Sequence, residues 1–89
     1  MKDTKTKQVL PKWFTDEGGV LYTEGDSVQN PYSGQSVDLT AEELSIYDFI
    51  KGTELMAFSM NDPKLIKNFN KAIHWFRKEN VDAYYILLD

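Results

Sequence analysis

His74 is the single histidine of this 89-residue chain, and a histidine that acts as base or ligand needs company. Nucleophilic chemistry needs a base beside an activated nucleophile, and zinc needs three or four ligands. His74 falls off the apolar stripe of its helix and reads as a surface histidine. The carboxylate pairs Asp16/Glu17, Glu24/Asp26 and Glu42/Glu43 are the other groups with chemical capacity. Paired carboxylates can cleave glycosides or hold a metal, but a calcium loop of the EF-hand type needs acids at alternate positions over about twelve residues. In "DEGGVLYTEGD" the acids sit at the ends and Val-Leu-Tyr fills the middle, which suits a strand. The chain has no Cys, so thiol nucleophiles and Cys-ligated zinc are excluded. "EGG" and "EGD" lack the spacing and the Lys-Ser/Thr of a phosphate loop, and "SGQS" is not a nucleophile elbow. The residues therefore predict no catalytic site, no metal and no cofactor, and the chain is read as a non-enzyme.

What remains is a surface. The net charge of −4 is unevenly spread. Residues 1–12 hold four Lys against one Asp, residues 13–62 hold ten acids against Lys51 alone, and residues 63–89 hold five bases against three acids, giving +3, −9 and +2. The acidic block points to a charged partner or to complementarity within the fold. The five bases of the helix over 63–79 offer an alternative, a nucleic-acid-binding accessory protein, although the acidic total disfavours nucleic acid. A solvated face partly paired with acids of the preceding helix is the simpler use of those bases. Twelve aromatic residues also exceed what one thin core readily hides. Half-buried aromatics are the material of interfaces, so a protein partner or a homo-oligomer is expected. The candidate interaction surface is Tyr32, Asp38, Glu42, Asp48 and Trp75.

The elements that must position these residues are a short hairpin and helices. Residues 1–11 mix Lys, Thr and Asp without period and end at Pro11, which predicts a flexible tail ahead of one small domain over 12–89. Val20-Leu21-Tyr22-Thr23 reads as a strand, and "EGD" as a turn in which Gly25 supplies a positive φ. "NPYSG" is a second turn, followed by Val37 and Leu39 spaced by two on one face. Short antiparallel strands of this kind must pack on helices. Thr40 and Glu43 form a capping box, with Leu39 and Leu44 placed for a hydrophobic staple, so a helix starts at 41. It is read over 41–59, with Gly52 as a point of bending or interruption. Asp62 and Pro63 open a second helix as N-cap and N1. Leu65, Ile66, Phe69, Ala72, Ile73 and Phe76 form its apolar stripe, Lys64, Lys67, Asn68, Lys71 and Lys78 its other face, and Asn80 a left-handed cap. "VDAYYILLD" is either a short helix over 83–88 capped by Asp82 or a buried strand, with the helix preferred. The fold class is α+β: a short N-terminal β-hairpin packed on two main helices, plus a short C-terminal helix.

Residues 12–50, "KWFTDEGGVLYTEGDSVQNPYSGQSVDLTAEELSIYDFI", and less clearly 72–89, resemble small uncharacterised proteins encoded by tailed phages of marine cyanobacteria. The resemblance carries no catalytic motif. It implies expression inside an infected bacterial cell. A polar start and the absence of any run of ~20 apolar residues also predict no signal peptide and no membrane span.

Overall fold

A one-turn helix, α1 (Lys12–Asp16), opens the ordered sequence of elements. The computed structural model describes residues 8–88 apart from Glu17 and Val20, and gives only the backbone of Leu55, Ala57 and Phe58. Pro11 starts α1 because its carbonyl accepts from the Phe14 and Thr15 amides, at 3.0 and 3.4 Å. The turn buries Phe14, which is 1% exposed. The sequence-predicted tail over 1–11 needs correction at its end. Gln8 hydrogen-bonds to Thr40 and Glu43, the Val9 carbonyl accepts from Trp75, and Leu10 packs against the core. Residues 1–7 lie outside the described residues.

Strands β1 (Asp26–Gln29) and β2 (Ser36–Leu39) pair antiparallel, with Val28 opposite Val37 and Ser27 opposite Asp38. Val37 and Leu39 face the helices and Asp38 faces solvent, as a period of two requires. The turn between the strands is built by Asn30. Its Oδ1 accepts from the Tyr32 and Ser33 amides, and its Nδ2 donates to the Ile86 carbonyl at 2.8 Å. Gly34, at φ 80°, takes the left-handed conformation that closes the loop. No strand forms at 21–23. The Tyr22 amide is taken by the Ser45 hydroxyl at 2.9 Å, so that stretch lies against a helix rather than beside a strand. Gly25 is needed for a different reason from the one its turn suggested. Its φ is not left-handed; a Cβ there would fall on the Leu39 carbonyl oxygen.

Helix α2 (Ala41–Ser59) starts on the capping box. The Thr40 hydroxyl accepts from the Glu43 amide at 3.1 Å, and Glu43 Oε1 accepts from the Thr40 amide at 3.0 Å. Gly52 does not interrupt the helix, which runs through to Ser59. Asn61, at φ 52°, is the left-handed residue past its C-cap Met60. Helix α3 (Pro63–Glu79) starts on Asp62, whose carboxylate accepts from the Lys64 and Leu65 amides. Asn68 belongs to the buried side, at 9% exposed, and not to the solvent face. It stands three residues after Leu65 and four before Ala72, so helical geometry puts it on the edge of the stripe. Asn80 is extended (φ −151°, ψ 82°), because it ends α3 and caps α4 (Val81–Leu87) at once. Its amide donates to the Phe76 carbonyl and its Oδ1 accepts from the Ala83 amide. Asn80, rather than Asp82, is therefore the cap of the C-terminal helix.

Helices α2 and α3 share the most extensive contact, and α4 packs on both α3 and β2. The core is Phe14, Leu39, Ile46, Ile50, Phe69, Ala72, Phe76, Ala83 and Leu87. The narrowest dimension, 19 Å, is about two helix diameters at ~10 Å each. The architecture is thus a small α+β fold in two layers, as the sequence predicts.

Two stability outcomes follow. Gly52 is exposed and a Cβ there meets nothing within 4 Å. Gly52→Ala is expected to stabilise by about 0.5–1 kcal/mol, read as a higher urea midpoint at constant m-value; a lower midpoint would mean that the helix needs a break there. Glu43 is 2% exposed and accepts from three donors, Gln8 Nε2, the Thr40 amide and Asn80 Nδ2. Glu43→Ala strands those donors and is expected to cost about 2–4 kcal/mol by the same measurement.

Candidate functional site

The outer face of α3 is set by its own periodicity. Lys67, Lys71, His74 and Lys78 follow one another at steps of four, three and four, which aligns them in a single file. The stripe of Leu65, Phe69, Ala72 and Phe76 is offset by two residues and takes the opposite side. The file spans about 16 Å at 1.5 Å rise per residue. Among the described residues, Lys67, Lys71 and Lys78 make no ion pair. The ion pairs Lys12–Asp16 and Lys51–Glu54 lie within single helices and are exposed. The expected pairing of these α3 lysines with acids of α2 is absent among the described residues.

The N-terminal segment turns this file into a groove. Pro11 and Trp13 line it with Lys67, Asn70, Lys71, His74, Trp75 and Lys78, enclosing about 580 Å³. That volume lies within the range of about 300–1,000 Å³ typical of ligand sites. Among the described residues, no acid lines it. Both indoles are held in place. Trp75 Nε1 donates to the Val9 carbonyl at 3.0 Å, which also docks the N-terminal segment along α3. Trp13 stands edge-on to Phe14 and Phe49, at centroid distances of 5.9 and 5.4 Å. Trp13 also lines a second recess of about 210 Å³ with Phe14, Gly18, Gly19, Ser45, Asp48 and Phe49. Phe14 reaches its place there because Gly19 has no Cβ to meet the ring.

The five residues read from the sequence as an interaction surface are spread over the fold. Tyr32 projects from the hairpin turn, 97% exposed. Asp38 is on the solvent side of β2, and Glu42 is half-buried in the first turn of α2. Asp48 is at the smaller recess and Trp75 at the groove, and Trp13 lines both recesses. Sequence reasoning missed Trp13, Pro11 and Asn70 as groove residues. The file of bases was legible, but nothing local says that residues 9–13 run alongside it. His74 is exposed, in the file of lysines. Among the described residues no three His, Asp or Glu side chains gather as a metal site, and no helix is long and apolar enough to cross a membrane. Exposed aromatics among the described residues are Tyr22, Tyr32 and Tyr85. No family model, no curated protein and no solved structure matches this chain.

Proposed function

We propose that this chain is a non-catalytic binding module whose working face is the α3 groove, where it takes an extended, negatively charged partner. One observation carries the reading: among the described residues, three lysines without ion pairs share a groove with two indoles, each in contact with the rest of the fold, and with no acid. Cations held next to apolar surface attract an anion that has apolar parts of its own. The acidic remainder of the chain does not cancel this attraction at close range. The Debye length is about 8 Å at physiological ionic strength, so the groove's own charges dominate once a partner is seated. The resemblance to cyanophage proteins adds only a setting, an accessory protein in an infected cell.

A second reading, contact with a protein partner through the hairpin turn, is favoured by Tyr32. That side chain is almost wholly exposed on a loop whose backbone is fixed by Asn30. The two readings separate on heparin–agarose at low salt. The wild-type protein is expected to be retained, Lys67→Glu/Lys71→Glu to flow through, and Tyr32→Ser and Lys51→Glu to elute with wild type. Equal elution of wild type and the double reversal would remove the groove from consideration, and loss of retention on Tyr32→Ser would move the site to the turn.

A further inference from the structure

We infer that the partner seated in the α3 groove is single-stranded nucleic acid, an inference that rests on the groove being the binding face. A purely acidic peptide would use the lysines alone. Carboxylates gain nothing from flat apolar rings, whereas unstacked bases do, and every base has a π-face to place on an indole. The groove supplies both kinds of contact within one recess: a file of cations for phosphates and two indoles for bases.

Both rings already make contacts with the fold in the free protein. Trp75 is held by its Nε1–Val9 hydrogen bond and Trp13 by its edge contacts with Phe14 and Phe49. Little side-chain freedom is therefore lost when a base stacks. Asn70 lines the same recess and offers an amide able to donate to and accept from a base edge. A duplex is a poorer fit, because its bases present only their edges and their faces are covered by their neighbours. The file of about 16 Å accommodates a short run of nucleotides rather than a long tract.

Charge sets a quantitative expectation. Three phosphate-contacting lysines give a slope of log K against log salt of about −2, at −0.7 per contact for single strands. Removing Lys67 and Lys71 leaves one contact and a slope of about −0.7. The indoles set the readout, because Trp13 and Trp75 are the only two tryptophans, so the protein's intrinsic tryptophan fluorescence comes entirely from the proposed stacking residues.

The test is a fluorescence titration of the full chain at several salt concentrations with an oligothymidylate octamer, a duplex of equal length and poly-glutamate. Saturable quenching by the octamer is expected, with a slope near −2 and at least tenfold weaker binding of the duplex and of poly-glutamate. Lys67→Ala/Lys71→Ala replaces exposed residues and is expected to fold as wild type while flattening the slope to near −0.7. Trp75→Phe, which keeps a ring but loses the indole and its hydrogen bond to Val9, is expected to weaken octamer binding and leave the slope unchanged. Poly-glutamate or duplex bound as tightly as the octamer would overturn the nucleic-acid inference and leave the groove as the anion-binding face. No binding of any of the three at low salt would overturn both.

Discussion

The Glu43 carboxylate is the joint on which the fold depends. It lies at the start of α2, almost fully buried, and joins the helix's own cap to two remote pieces of chain. The Thr40 amide comes from the end of the hairpin, Asn80 Nδ2 from the α3–α4 junction and Gln8 Nε2 from the N-terminal segment. The Thr40 hydroxyl then donates to Gln8 Oε1, which closes a ring of hydrogen bonds. A buried carboxylate is tolerable only when such donors surround it. What begins as a local helix cap thus becomes a long-range tie. Asn80 extends it further, since the same side chain caps α4. The register of α4 against β2 and the path of residues 8–13 along α3 both follow from this joint.

The apolar core by itself would leave those pieces weakly placed. A chain of this size buries only roughly 60–65% of its unfolded surface. The core therefore works with close approaches. Gly25 lets the backbone come against the Leu39 carbonyl, and Gly19 lets Phe14 lie under its own turn. Phe14 also makes an edge contact with Phe49 of α2 at 5.7 Å, which ties α1 to the longer helix. On the far side Tyr47 meets Phe76, and Arg77 lies over the Tyr84 ring at 5.4 Å, linking α3 to α4. Polar joints and aromatic contacts divide the labour of holding the helices to the two-stranded sheet.

The parts of this arrangement that the sequence reveals are those fixed by neighbours in the chain. Thr40 and Glu43 are three apart, Asp62 directly precedes Pro63, and both helices keep the bounds that their caps and stripes imply. The α+β class and the turn at Asn30 to Gly34 are local in the same sense. What the sequence hides depends on distant partners. Asn80 looks like a helix end, and its capping of α4 is decided by Glu43, 37 residues away. Val20 to Thr23 has strand composition, but the Ser45 hydroxyl captures the Tyr22 amide. Gly25 looks like a turn glycine until Leu39 is placed against it. The groove follows the same rule: its lysine file is a matter of helical period, but its second wall comes from residues more than fifty positions earlier. The acids Asp38, Glu42 and Asp48 cluster in sequence, and the fold then sends them to a strand, a helix start and a recess beside Trp13.

Helix α3 carries this separation to its limit. Its two faces are offset by two residues, about 200° of rotation at 100° per residue, so the side that builds the core and the side that lines the groove share few atoms. Trp75 stands between them: it packs against the core cluster, lines the groove and holds the Val9 carbonyl. The N-terminal segment is consequently both a structural strap and one wall of the groove, pinned at Glu43 by Gln8 and at α3 by Trp75. A change at Glu43 that releases Gln8 loosens that wall without touching a lysine. The lysines themselves can change sign with little consequence for the core. Stability and binding are therefore coupled through the strap and independent along the file of cations, and a binding defect that arises at Glu43 acts through the shape of the groove rather than its charge.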